Sequence, residues 1–161
     1  MSRVLRYFLS AGSVASAPNA LVLILVALRC FHGFCHTSPV FSEAVLDHFR
    51  NPRNAGELPG ATATIEVTNP VCGDILKLSA RFESGRIAEA RFLCRGCTTA
   101  IACASLLTEE LRGRTPAEAA AITGESLSSS LGGLPSATFH GAQLAADAAA
   151  ALLQRIGSLS R

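Results

Sequence analysis

Tryptophan is absent from the 161 residues, tyrosine occurs once, and aromatic residues together make up 6%. A core poor in large rings must be closed by aliphatic side chains, here Ala, Leu, Val and Ile. Lysine is as scarce: Lys77 is the only one, the other cations are arginines spread along the chain, and the formal net charge is +2. That excludes the concentrated basic face expected of a protein whose main partner is nucleic acid. Charged residues reach only 16% against 49% hydrophobic, with mean hydropathy +0.35, which excludes wholesale disorder. Six cysteines are too few for a disulfide-stapled miniature scaffold, yet enough to raise the question of metals. No internal repeat is present, and the length suits one domain with an appendage.

Acidic residues are missing altogether from Met1 to Val40, whereas both signs are mixed after it. Arg3 and Arg6 precede an Ala/Ser stretch and an apolar run from Ala20 to Leu28. A membrane-spanning helix needs about 20 apolar residues, so stable membrane insertion is not expected. The run resembles a signal-peptide core without a small-x-small cleavage pattern, and an Arg-bearing, acid-free segment also suits an organellar transit peptide. A third reading is that translation starts at a GTG codon written as Val40, so that the segment before it is not made. The chain is therefore divided into an N-terminal extension, 1–40, and a folded domain, 41–157. The expected location is cytoplasmic, or organellar if the extension is a transit segment. Cys30, His32, Cys35 and His36 fit neither a zinc-finger pair nor a haem-attachment motif, and their grouping is read as coincidence.

Helical spacing covers Ser42 to Phe49, with Val45, Leu46 and Phe49 facing inward, and Asn51-Pro52 ends it. After a loop at Gly56 to Gly60, alternation puts Ala63, Ile65 and Val67 on one face of a strand. A second run sets Leu76, Leu78, Ala80 and Phe82 against Lys77, Ser79 and Arg81. After a turn at Glu83-Ser84-Gly85, a third sets Ala88, Ala90 and Phe92 against Glu89 and Arg91. Helical period then carries Ala100, Cys103, Leu107 and Leu111, with Gly113 as the cap. Thr115-Pro116-Ala117-Glu118 is a capping box opening a short helix to about Thr123. Gly124 to Pro135 reads as connection, and an alanine-rich helix runs from about His140 to Ile156. The expected fold is α+β: a small three-stranded antiparallel sheet packed on one face by helices.

Chemistry concentrates in three places. Asn69-Pro70-Val71-Cys72-Gly73-Asp74 turns between the first two strands, and Gly73 permits a bend that points Cys72 and Asp74 to one side, half of a metal site. Cys97 stands where the third strand passes into the long helix, a place for a ligand or sulfur acceptor. Cys94 completes a C-x-x-C with it, but alternation sends Cys94 to the buried face with Phe92, and Cys103 lies in the apolar stripe. His140 opens the last helix, where a neutral imidazole can bind a metal.

Taken in order, Phe41-Ser42-Glu43, Asp47-His48-Phe49-Arg50-Asn51-Pro52-Arg53-Asn54, Asn69 to Asp74, Arg91-Phe92, Gly96-Cys97 and Ala100-Ile101-Ala102 resemble the NifU N-terminal/IscU iron–sulfur scaffold family over about residues 41 to 155. The resemblance implies the same α+β fold. It implies a role as a scaffold or carrier, not an enzyme: the chain accepts sulfur from a cysteine desulfurase and iron from a donor, holds a labile cluster, and passes it to recipient apo-proteins.

Two departures stand out. The family's third cysteine follows a histidine near the start of the last helix, and here His140 is followed by Gly141. The chaperone-recognition stretch is represented by Leu134-Pro135-Ser136-Ala137-Thr138 without its lysine, which argues against a dedicated chaperone. Cys72, Asp74, Cys97 and His140 remain as candidate ligands, enough for tetrahedral zinc or for an iron–sulfur cluster, [2Fe–2S] before [4Fe–4S]. A homodimer would pool four thiolates from two chains. The alternative function is a zinc-bearing acceptor of the SufU kind, taking persulfide sulfur onto Cys97. Glycine is a poor helix residue, so Gly141→Cys is expected to restore a third thiolate without harm to the fold.

Overall fold

Ser42 caps the first helix of the computed structural model, which describes residues 41–159. The expectations for residues 1–40, including Cys30, His32, Cys35 and His36, lie outside the described residues. Helix α1, Glu43–Arg50, begins where the Ser42 hydroxyl accepts the Val45 N–H at 3.1 Å and donates to the Leu131 carbonyl. Its buried residues are Val45 and His48, whereas Phe49 is 40% exposed. The expected inward Phe49 is thus replaced by a polar group, and a hydrogen-bond chain supplies the reason. Ser105 Oγ accepts the Arg53 N–H at 2.8 Å and lies 2.9 Å from His48 Nδ1, to which it can donate. Asn54 Nδ2 donates to Thr108 Oγ1 at 3.1 Å, so the Asn51-Pro52-Arg53-Asn54 box fastens α1 to the long central helix.

Strands β1 (Ala63–Thr68), β2 (Ile75–Glu83) and β3 (Arg86–Arg95) form one antiparallel sheet in chain order. The alternation is as expected in β1 and in most of β2, with Leu76, Leu78 and Ala80 at most 1% exposed. In β3 it slips. Arg81 pairs with Glu89 and Phe82 with Ile87, leaving Ala88 as the extra residue of a bulge. The bulge shifts the phase by one, so Ile87 is fully buried and Ala88 only partly.

Helices cover one face of the sheet. The other is crossed by residues 55–62. Ala55 bridges β3 at Phe92, Glu57 pairs with Lys77 on β2 at 3.4 Å, Arg81 donates to the Pro59 carbonyl, and Thr62 N–H reaches Ala80 O. This strap buries Leu58 to 7% exposure and accounts for the burial of Ser79, a residue alternation puts on the solvent side.

Helix α2, Thr98–Leu111, is buried nearly all round: Ala102, Cys103, Ala104, Leu107 and Leu111 are fully inaccessible. Gly113 follows with φ +79°, the left-handed geometry of a helix stop. Helix α3, Pro116–Ala119, carries the expected capping box. Helix α4, Gly124–Ser130, occupies part of the stretch read as connection. Its serines leave only Leu127, with Leu131 just beyond its end, as an apolar signal. The helix is specified instead by a second reciprocal cap between Thr123 and Ser126. A short 3₁₀ turn, Ser136–Thr138, leads into α5, His140–Leu159. Alanines 142, 145, 148 and 149 of α5, at most 2% exposed, and those of α2 let two helices and a sheet close tightly on a core whose one buried phenyl ring among the described residues is Phe92. Among the described residues no helix is long and apolar enough to cross a membrane.

Candidate metal and sulfur site

Asn69 shapes the first wall. Its side-chain oxygen accepts the Val71 N–H at 2.8 Å, its carbonyl accepts the Gly73 N–H at 2.9 Å, and its own N–H reaches the Asp74 carbonyl at 2.8 Å. The loop closes on Gly73 at φ +75°, a conformation that favours glycine. Cys72 is left exposed at the tip beside Val71, which is 93% exposed, while Asp74 turns inward to 8%.

The second wall is the start of α2. Cys97 is its N-cap residue, with an extended backbone and no side-chain capping bond. Its N–H points to Asp74 Oδ2 at 3.4 Å, and its Sγ lies 3.1 Å from Thr99 Oγ1. Thr99 in turn donates to the Thr138 carbonyl at 3.2 Å, which ties this helix end to the turn before α5.

His140 supplies the third wall. Its Nδ1 lies 3.2 Å from the Ala137 carbonyl, which fixes the ring and turns Nε2 to the site. That Nε2 faces Cys97 Sγ at 3.5 Å and Asp74 Oδ2 at 3.9 Å. The Leu134 to Thr138 stretch therefore serves the site directly: its Ala137 and Thr138 carbonyls orient His140 and Thr99.

Ligand atoms of Cys72, Asp74 and His140 all lie within 4.8 Å of one another. Cys97 stands beside that group and joins it through His140 and through its own backbone N–H. The four sequence-derived residues thus converge from a loop and two helix N-termini. Cys94 and Cys103 do not join them. Burial pushes both thiols up to about 12, which leaves them protonated and poor ligands. Cys103 is fully buried and Cys94 is packed against the core.

Gly141 overturns the expectation of a harmless cysteine. A Cβ there would stand 2.7 Å from Ala100 N, 2.8 Å from Thr99 C and 2.8 Å from Thr99 Oγ1. Two of these are backbone atoms of α2, so α5 itself would have to retreat. Helix propensity had suggested otherwise because it counts only a residue's own helix, not the one packed against it. The turn at Asn69 to Asp74 was read in the sequence, whereas the role of Thr99, the Asn69 hydrogen bonds and the Gly141 contact were not. Asn-Pro before a C-G-D turn is the only local signal among them.

Comparison with known proteins places this arrangement in context. The family model described as the NifU-like N terminal domain matches residues 40–156. Iron-sulfur cluster assembly scaffold protein IscU 1 of Archaeoglobus fulgidus is 42% identical over 109 residues, covering 68% of this chain and 71% of that protein. IscU of Azotobacter vinelandii is 40% identical over 112 residues, 67% of this chain and 87% of that one. Among solved structures, the N-terminal part of a NifU-like protein from Brucella abortus superposes with TM-score 0.58 at 19% identity, covering 72% of this chain and 93% of that one. An iron–sulfur scaffold protein for the SUF system from Fervidobacterium islandicum gives TM-score 0.58 at 20% identity, covering 74% and 98%. These two likenesses show the α+β fold.

Proposed function

The chain belongs to the NifU-like N-terminal domain family, and from that premise we propose that it is an iron–sulfur cluster assembly scaffold whose cargo is built at Cys72, Asp74, Cys97 and His140. The observation that carries this reading is the convergence of these side chains, drawn from 69 residues of sequence, on one site. Two thiolates are the donors iron prefers in a cluster; a carboxylate is harder and an imidazole is neutral. Such a set holds a [2Fe–2S] cluster less firmly than four thiolates do, which suits a protein that must release it. The chain performs no turnover of its own.

Exposure divides the labour between the thiols. Cys72, rather than the Cys97 expected from the sequence, is the one a docked cysteine desulfurase reaches first, because Cys97 is half-buried beside Thr99 and His140. A Cys72 thiolate that attacks the outer sulfur of the desulfurase persulfide becomes the persulfide and leaves the donor cysteine as a thiolate. An iron donor and recipient apo-proteins complete the set of partners. The departed lysine at Thr138 argues against service by a dedicated chaperone.

A second reading, a zinc-bearing sulfur acceptor, is favoured by the number of donors: four from one chain suffice for one tetrahedral ion. Anaerobic reconstitution with iron and sulfide, with metal analysis of the purified protein, separates the two. A visible cluster chromophore lost in Cys72→Ser and Cys97→Ser supports the scaffold. A colourless protein with one zinc, unable to form the chromophore, supports the acceptor. A protein that takes up neither metal defeats both.

A further inference from the structure

Gly96 precedes the Cys97 cap, and its φ lies outside the left-handed region, so conformational freedom does not explain a glycine there. Space does. A Cβ at 96 would stand 2.9 Å from Asp74 Cγ, 3.1 Å from Asp74 Oδ2 and 3.1 Å from Ala100 Cβ. The carboxylate of Asp74 therefore occupies the volume that any side chain at 96 would take. It is 8% exposed, and the same Oδ2 that lies against Gly96 also faces the Cys97 N–H at 3.4 Å and His140 Nε2 at 3.9 Å. A methyl group at 96 would force Asp74 to rotate away from both.

We infer that Gly96 is a positioning residue: its missing side chain is the seat that aims the Asp74 carboxylate between Cys97 and His140. This rests on the four-residue site proposed above. Gly96 touches no cargo and acts only through Asp74, as an outer support that fixes a ligand's orientation.

The test uses the full chain, stripped of metal and titrated anaerobically with Co²⁺ alone. Binding is read from the visible d–d bands and from the thiolate-to-cobalt charge-transfer band. Gly96→Ala is expected to weaken Co²⁺ binding by about 10- to 100-fold, the range for loss of an outer support. It should keep the charge-transfer band of Cys72 and Cys97 while the d–d bands change. Asp74→Ala should weaken binding at least as much, and adding Gly96→Ala to it should alter affinity by no more than about twofold, since the obstructed carboxylate is gone. If Gly96→Ala fails to fold by circular dichroism, the double variant should fold again.

Parent-like Co²⁺ binding by Gly96→Ala, with Asp74→Ala weakened, overturns the positioning role and leaves the site reading intact. A penalty for Gly96→Ala that persists in the Asp74→Ala background, or a double variant that still does not fold, overturns it too, because the methyl then strikes something other than the carboxylate. Parent-like binding by Asp74→Ala defeats the ligand reading of Asp74 and the inference with it.

Discussion

Four cysteines of one folded domain end in different chemistries because burial sorts them. Cys94 and Cys103, pushed up to about 12 by desolvation first and by neighbouring charge second, carry no thiolate near neutral pH. Iodoacetamide at pH 8 should therefore alkylate Cys72 in the metal-free native protein and leave Cys94 and Cys103 unmodified until denaturant is added, as peptide mapping by mass spectrometry would show. Modification of Cys103 in the native state would mean the core opens on the labelling timescale. Among substitutions, Cys72→Ser and Cys97→Ser should each abolish stable cluster or zinc loading, since each leaves one sulfur donor. His140→Ala should weaken loading well beyond what a surface change does. Cys103→Ser should leave loading intact while costing about 1–3 kcal/mol for a hydroxyl placed in an apolar seat, read as a lowered thermal midpoint.

Elements were legible in the sequence wherever apolar period or cap chemistry was strong. The three strands, the Thr115 box, the Gly113 stop and the α+β order could all be read, because each is written in a few adjacent residues. Helix α4 was hidden because its serines carry no stripe, and Ile87 was hidden because a bulge breaks the two-residue period. The candidate ligands were legible as residue types at turns and helix starts. Their convergence through Thr99, the Ala137 carbonyl and the Gly141 contact was not, since contacts between distant segments leave no local pattern. That contact changes the engineering. Gly141→Cys should lower stability by about 1–3 kcal/mol through overpacking and give no longer-lived cluster. Asp74→Cys, which puts a third thiolate where a ligand already points, should lengthen the cluster's half-life in visible absorption. The α1–α2 junction has a pH signature of its own. His48 is lowered from its ordinary value by burial first and by Arg53 second, with Glu109 and Asp47 opposing. The unfolded chain therefore takes up the proton first, so the stability His48 contributes is present at neutral pH and is lost as pH falls below about 6.5. Denaturant midpoints measured from pH 8 to pH 5 should fall less in His48→Gln than in the parent.

At the scale of the whole molecule, the site joins a loop, the α2 N-terminus and the α5 N-terminus, three pieces of backbone tied to one another there by single hydrogen bonds. Metal bound there links all three, so it must raise global stability by mass action. Zinc added to metal-free protein should raise the thermal midpoint, a chelator should reverse the shift, and Cys72→Ser should erase the difference; an unchanged midpoint on zinc loading would show that the ion sits on one segment only. The meeting of α2 and α5 at Gly141 also bears on how such a chain can change over generations. With the helices closed over a missing side chain, a single codon change to cysteine yields a strained protein before it yields a ligand. The helix axis would have to move out first, and that would withdraw His140 from Cys97. Packing thus holds position 141 without a thiolate, and the shorter path to a tighter site runs through position 74.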